Sequence, residues 1–500
     1  MPILKNGTPW KWVCSAMASL ILMAGCAVGP DYVEPELESP DAWQNAAAED
    51  VLADAPVIQN WWAAFGDAML DTLIVQAQES NLDLEMAVSR IREARAYHQI
   101  TGGAYWPQVG MSGDGVRAKT PDFYAPGGDN PVNNWEFGMG ASWEIDVWGK
   151  NRRARESTGA ALQSSIEDYR DVLVSLYAEV ATTYIDVRSL QTRLDFALSN
   201  VESQRETMDV VTAREEAGLV PLLDVTQARS NLANTEATIP QLEVVLEAAL
   251  NRLAILLGQA PGTIDVQLKD HTGMPSPSTD LTMALPAELL RRRPDVRRSE
   301  RDLAAQSARI GVATAELYPS FSLNGALALR APQFGDLGQS GAFGWSFGPE
   351  VKWNLFTGGK IRGQIKVEEA RTEQLLAAYE LTVLGALAEV ENSLVALRQE
   401  EIRRDLLMIA AESAQQSVEL VNTQYVSGLT DFQNYLDAQR VLFSQQDQLA
   451  KSQGQVLANL ITLNRALGGG WSLDDPAPDL PVETQETAMT EPASVEEEGR

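Results

Sequence analysis

The chain has 500 residues, a formal net charge of −30, two histidines and two cysteines. So acidic a chain without a basic stripe is not built for nucleic acid. So few His and Cys residues argue against a zinc site or a Cys/His or Ser/His catalytic pair. Length alone suggests several domains, unless long helices or repeats take up the chain.

Lys5 and Lys11 precede an apolar run, 13–24, that is too short for an ordinary transmembrane helix. It ends in LMAGC, with Ala24 and Gly25 just before Cys26. Residues 1–25 resemble a bacterial lipoprotein signal peptide, with Cys26 as the lipid-anchored first residue of the mature chain. Cleavage would remove Cys14 and acylation would consume Cys26, so no disulfide is expected although the compartment would permit one. The only expected cofactor-like group is this covalent lipid. In such lipoproteins an Asp after the Cys favours the inner membrane; Ala27 here favours the outer one. Residues 26–60, Pro- and acid-rich, read as an extended linker.

A first unit spans 61–258. It opens with a helical pattern from Trp61 to about Gly102, which Pro107 stops. Two strand-like runs follow, ~107–117 and ~134–148. In WEFGMGASWEIDVW, from Trp135 to Trp148, apolar odd positions alternate with Glu136, Gly138, Gly140, Ser142, Glu144 and Asp146. Strict alternation marks a strand with one greasy and one wet face. From Gly149 the chain is helical to about Glu216; Leu173, Val180, Val187, Leu194, Val201 and Met208 fall seven apart, interleaved with Leu176, Thr183, Leu190 and Ala197. That is a coiled-coil seam. Sixty-odd helical residues make a rod of roughly 95 Å.

The chain then repeats itself with a shift of 210: Trp135, Phe137 and Gly138 meet Trp345, Phe347 and Gly348, and Gly218-Leu219 meets Gly428-Leu429. A Pro/Gly/Thr-rich connection, 259–285, leads to a second unit, 286–471, with strands ~319–329 and ~344–355. Residues 472–500 form an acidic tail expected to be disordered. Long helices separate the two hairpins, so they are not expected to be neighbours as in a soluble meander. In lipid, a lone hairpin exposes edge groups costing several kcal/mol each. Four strands cannot close a barrel, so several chains must; two would give eight strands with a filled interior, three would give twelve with a wider lumen.

Several motifs together are similar to the TolC-like outer-membrane efflux proteins, in the lipoprotein (OprM- and NodT-like) branch that serves tripartite RND-type pumps. They are CAVGPDYVEP after the signal, WWAAFGDAMLDTLIVQA at 61–77, NLDLEMAVSRIREARA at 81–96, LPAELLRRRPDVRRSERDLAAQSARIGVATAELYPSFSL at 285–323 and GLTDFQNYLDAQR at 428–440. The resemblance implies a mainly α fold with four transmembrane strands per chain. It implies a homotrimer closing one twelve-stranded barrel, continued by a long α-helical barrel into the periplasm. The implied function is a passive exit duct of the outer membrane, with a periplasmic adaptor protein and an inner-membrane RND-type pump as partners, and no enzyme activity. Position in the motif implies a gate: Asp437 and Arg440, with Gln433 one turn earlier where relatives often carry an apolar residue, and Tyr425 and Asp431 in interhelix contacts of the closed state. Gly218, Leu219, Gly428 and Leu429 match the adaptor-docking tips. Glu136, Glu144, Asp146 and Glu350 against Lys352 would give a mostly acidic lumen with modest cation preference. RRRPDVRR at 291–298 reads as capping and pairing at a helix start. The competing reading is a lipid-anchored trimeric coiled-coil envelope protein without a through-pore.

Overall fold

The computed structural model describes residues 27–36, 40, 42–45, 59–119, 121, 123, 131–268, 273–275, 277 and 292–472. Cys26, the signal segment, residues 269–272, 276 and 278–285 of the connection, and all but the first residue of the tail lie outside these. A 3-10 turn at Trp61–Phe65 leads into α1 (Ala68–Ser80) and α2 (Leu82–Gly103). The helical pattern that begins at Trp61 is therefore interrupted. Asn81 is extended there: its Oδ1 accepts from Leu84 N at 3.0 Å, and its Nδ2 donates to Leu256 O at 2.9 Å. It ends one helix and caps the next.

Strands β1 (Gln108–Ala118) and β2 (Val132–Ile145) follow, then α3 (Lys150–Glu216), α4 (Leu222–Glu236) and α5 (Thr238–Leu256). The second unit contains α6 (Pro294–Ala315), β3 (Ser320–Ala331), β4 (Phe343–Lys352), α7 (Lys360–Val426) and α8 (Phe432–Ala466). Helices α3 and α7 each have 67 residues and start 210 positions apart. At about 1.5 Å per residue each is roughly 100 Å long. Helix α8 is continuous, whereas its counterpart in the first unit is divided at Ala237. Pro240 explains the difference, because its nitrogen cannot donate to the carbonyl one turn back; Ala450 stands at the matching place in α8.

The α3 seam is packed: Val180, Val187 and Ala197 are fully buried, and Leu173, Leu176, Thr183, Leu190 and Val201 nearly so. Each fully buried large aliphatic side chain contributes about 1.5–3 kcal/mol. The main core lies at mid-length, where Trp61, Trp62 and Phe65 pack with Leu70, Tyr177, Tyr184, Leu253, Leu394 and Ile461. Beside it, RRRPDVRR starts α6 with Pro294 in the first turn. Arg293 pairs with Asp295 and Glu389 at 2.8 Å, Arg297 with Glu167 at 2.9 Å, and Arg298 with Asp168 at 2.7 Å.

The two hairpins are neighbours, contrary to the expectation drawn from the helices between them. The order is β1-β2-β3-β4, all antiparallel, and β2 pairs β3 from Trp135 opposite Ala331 to Ile145 opposite Phe321. The reason is that the long helices leave and return. Helix α3 carries the chain about 100 Å away, α4 and α5 bring it back, and α6 delivers β3 beside β2. There the Trp148 indole donates to Pro319 O at 2.8 Å and stacks on Tyr318. The strands are also shorter at this end than the alternation suggests: β2 stops at Ile145 and β4 at Lys352, leaving Asp146, Trp353 and Leu355 outside. No helix among the described residues is long and apolar enough to cross a membrane.

Candidate functional site

The register sorts the sheet into two chemistries. On one face lie Val109 and Met111 of β1; Trp135, Phe137, Met139 and Trp143 of β2; Leu323, Leu327 and Leu329 of β3; and Trp345, Phe347 and Val351 of β4. The only polar residues on it are Arg117 and Asn133, which face each other near the hairpin end. Most of this face is exposed; Trp345 is 73% and Phe347 68% accessible. A contiguous apolar surface this large marks contact with lipid or another protein. Gly115 sits opposite Trp135, and a Cβ there would run into the indole, so the glycine makes room for the ring.

The other face carries Asp114, Glu136, Glu144, Glu350, Arg330 and Lys352, four acidic against two basic. Glu136 accepts from Arg330 at 2.7 Å, and Glu350 from Asn324 Nδ2 at 2.6 Å. Asp146 is used otherwise: beyond the strand, its two oxygens accept from Asn151 N at 3.0 Å and Arg152 N at 2.9 Å, capping the start of α3. Arg330 lies one residue past the expected end of β3 and continues its even-numbered polar positions, and Asp114 lies inside the expected β1 without having been singled out. Within the described residues the outer edges of β1 and β4 have no partner strand.

Where sheet meets helices, the two units repeat one device. Trp143 Nε1 donates to Tyr105 O at 2.9 Å, and Trp353 Nε1 to Leu317 O at 3.0 Å. Indoles with one apolar body and one satisfied N–H suit a membrane interface. Residues 27–31 lie at the same level: Ala27 lies against Gly149, Val28 N donates to Trp148 O at 3.0 Å, and the buried Arg153 pairs with Asp31 at 2.5 Å.

About 100 Å away, α3 and α7 end in matching turns. Gly218 and Gly428 have φ of 74° and 73°, which only glycine adopts freely. Leu219 N returns to Arg214 O at 2.8 Å, and Leu429 N to Gln424 O at 2.9 Å, closing the last helical carbonyls. Leu219 and Leu429 are 68% and 79% exposed. Behind them Tyr425, Phe432, Tyr435, Leu436, Val211, Val225 and Ala228 form a small core. Tyr425 stacks on Tyr435, with the Arg214 guanidinium 5.0 Å above its ring, and its buried hydroxyl has no partner among the described residues. Burial raises its pKa; Arg214 opposes this and Asp224 adds to it. Asp224 is raised by burial first and by the neighbouring Asp431 second. Asp431 itself is the N-terminal boundary residue of α8, with no side-chain cap bond. Asp224, a first-unit residue that local sequence did not single out, is thus near enough to both Tyr425 and Asp431 for its charge to be felt by them.

Asp437, Arg440 and Gln433 lie together on an exposed face of α8. Gln433 Nε2 donates to Asp437 Oδ1 at 3.0 Å, and Arg440 Nη1 reaches the same oxygen at 3.4 Å. Arg440 Nε also donates to Asn231 Oδ1 of α4 at 2.9 Å.

The profile of the family described as "Outer membrane efflux protein" matches residues 73–259 and 285–469. Nodulation protein T of Rhizobium leguminosarum bv. trifolii is 31% identical over 461 residues, covering 90% of this chain and 96% of its own. The pyoverdine export outer membrane protein OpmQ of Pseudomonas aeruginosa is 30% identical over 466 residues, covering 92% and 97%. The solved outer-membrane channel OprN superposes with a TM-score of 0.82 at 34% identity, over 89% of this chain and all of that one.

Proposed function

The chain belongs to the outer membrane efflux protein family and is an efflux channel of the outer membrane; we propose that three copies close one twelve-stranded barrel whose lumen continues between the long helices. The observation that carries this is the two-faced sheet with both edges open. Its edge groups must be paired in lipid. Two chains would make an eight-stranded barrel filled by its own side chains, so three is the smallest number that leaves a duct. The apolar face then meets lipid, and Glu136, Glu144 and Glu350 with Arg330 and Lys352 line the water. Cys26 carries the acyl anchor, and the seating of Ala27 against Gly149 supports a lipid entering the membrane at the foot of the barrel.

The helices reach into the periplasm. Their tips, at Gly218-Leu219 and Gly428-Leu429, dock a periplasmic adaptor that hands over substrate from an inner-membrane RND-type pump. Exposed leucines held on rigid turns suit such a contact. Asp437, Arg440 and Gln433 narrow the pore, and Tyr425 with Asp431 braces the closed tip. The duct itself performs no chemistry; energy comes from the pump.

The test is reconstitution of the purified protein in planar bilayers, with its mass in detergent measured by light scattering. A trimer passing cation-preferring current is expected. A trimer passing no current would return the lipid-anchored envelope protein without a pore, and clear anion preference would overturn the acidic lumen.

A further inference from the structure

The two units align through the tips with a shift of 210, and both ends of one cross-unit bond are residues that the other unit does not repeat. Arg440 in α8 corresponds to Ser230, and Asn231 in α4 corresponds to Val441. Arg440 and Asn231 are the pair joined at 2.9 Å. Asn231 is only 3% exposed, on the packed stripe of α4 with Val225, Ala228 and Leu232. Its Nδ2 has no partner among the described residues. An amide buried with an unpaired N–H is costly, and an apolar residue would fill that stripe without the cost. The one hydrogen bond of the side chain is therefore the one its Oδ1 accepts from the Arg440 guanidinium. Arg440 itself is half exposed, and its contact with Asp437 is the longer one, 3.4 Å. Its best-held end is the buried one on α4.

Around this bond lies a thin polar layer between α3, α4 and α8. Gln439 Nε2 donates to Tyr435 Oη at 3.0 Å, and Thr207 Oγ1 lies 3.3 Å from the same hydroxyl. Gln204 Oε1 and Gln439 Oε1 are buried acceptors without a donor. An unused donor and two unused acceptors occupy one layer beside the small tip core. Such a layer can exchange partners at little net cost when helices shift, which a packed apolar layer cannot do.

We propose that Asn231 is the positioning residue of the gate: it holds Arg440 from the first unit, so that the pore-narrowing face of α8 is released only when α4 and α8 part. This rests on the assignment of Arg440 to the gate. Opening of α8 is thereby tied to movement of α4 within the same protomer.

The test measures open probability of reconstituted trimers in planar bilayers for Asn231→Leu, Asn231→Asp, Arg440→Ala and the two doubles with Arg440→Ala. Loss of a hydrogen bond to a charged group corresponds to a roughly tenfold change in a two-state ratio for each protomer that opens. Asn231→Leu raises the open/closed ratio by about that factor, as Arg440→Ala does, and the double exceeds neither. Asn231→Asp keeps the acceptor and adds charge, so it lowers the ratio, and the lowering disappears with Arg440→Ala. If Arg440→Ala leaves opening unchanged, the gate assignment itself falls. If Arg440→Ala opens the channel but Asn231→Asp opens it too or leaves it unchanged, Asn231 does not position the gate. Asn231→Asp decides the matter even if Asn231→Leu yields no trimers.

Discussion

Replacing both Asp437 and Arg440 by alanine should open the channel at only a modest cost in stability. The two side chains are 56% and 49% exposed and 3.4 Å apart. At that distance in water two unit charges attract by only about 1 kcal/mol, and exposed pairs of this kind measure about 0–1 kcal/mol. The pair itself therefore adds little to stability, whereas losing the Arg440 bond to the buried Asn231 should cost about 1–3 kcal/mol and lower the melting temperature modestly. The 3.4 Å pair lies within one helix and moves with it; in a closed trimer the contacts that opening can break are those the three Asp437–Arg440 sets make between protomers around one axis. If opening breaks all three together, the closed state loses up to roughly 3 kcal/mol, a shift of about a hundredfold in the closed-to-open ratio. The assay is single-channel recording in planar bilayers alongside a thermal melt of the detergent-solubilised trimer. Unchanged conductance and open time in intact trimers would refute the gate. A drop in melting temperature larger than that of Arg440→Ala alone would show instead that the pair is structural. Raising salt should mimic the substitutions in part, since the Debye length shrinks from about 10 Å at 0.1 M to about 3 Å at 1 M.

Three other outcomes follow from the packing. Asp295 is raised by burial, but the hydrogen bonds and charge of Arg293, with the Val296 N–H, outweigh this and hold its carboxyl below the usual range. A depressed folded-state pKa stabilises above the unfolded value of about 3.9 and is lost as pH falls through it; Asp295→Asn should lower the melting temperature at neutral pH and flatten its fall in acid, and an unchanged acid branch would contradict this. Pro240→Ala should join α4 to α5, as in α8, and raise stability by about 1 kcal/mol; a lower melting temperature would show that the kink is needed for packing. Met139→Arg, opposite Met111 and Leu327 on the apolar face, should cost about 2–4 kcal/mol per strand and deplete the folded channel from outer membranes. Ser142→Arg on the other face should be tolerated, and equal loss from both would remove the assignment of faces.

Much of the architecture is local and periodic, and so could be read directly. Two-residue alternation placed Glu136 and Trp135 on opposite faces, seven-residue spacing from Leu173 to Met208 marked the rod, and the shift of 210 exposed the duplication. Local geometry also explains the glycines at 218 and 428, which a turn with positive φ requires. The sites were legible only as stretches of chain. The sequence named Arg440 but not Asn231, Glu136 but not Arg330, and Tyr425 but not Asp224. It assigned Asp146 to the sheet's wet face, whereas the folded chain uses it to cap α3. It separated two hairpins that the folded chain sets side by side. In each case the missing partner lies in another element, more than 100 positions away for Asn231, Arg330, Asp224 and the paired β2 and β3. Periodicity fixes which face of a helix or strand is apolar. Which element that face meets depends on where about 100 Å of returning helix delivers the chain, and only tertiary packing sets that.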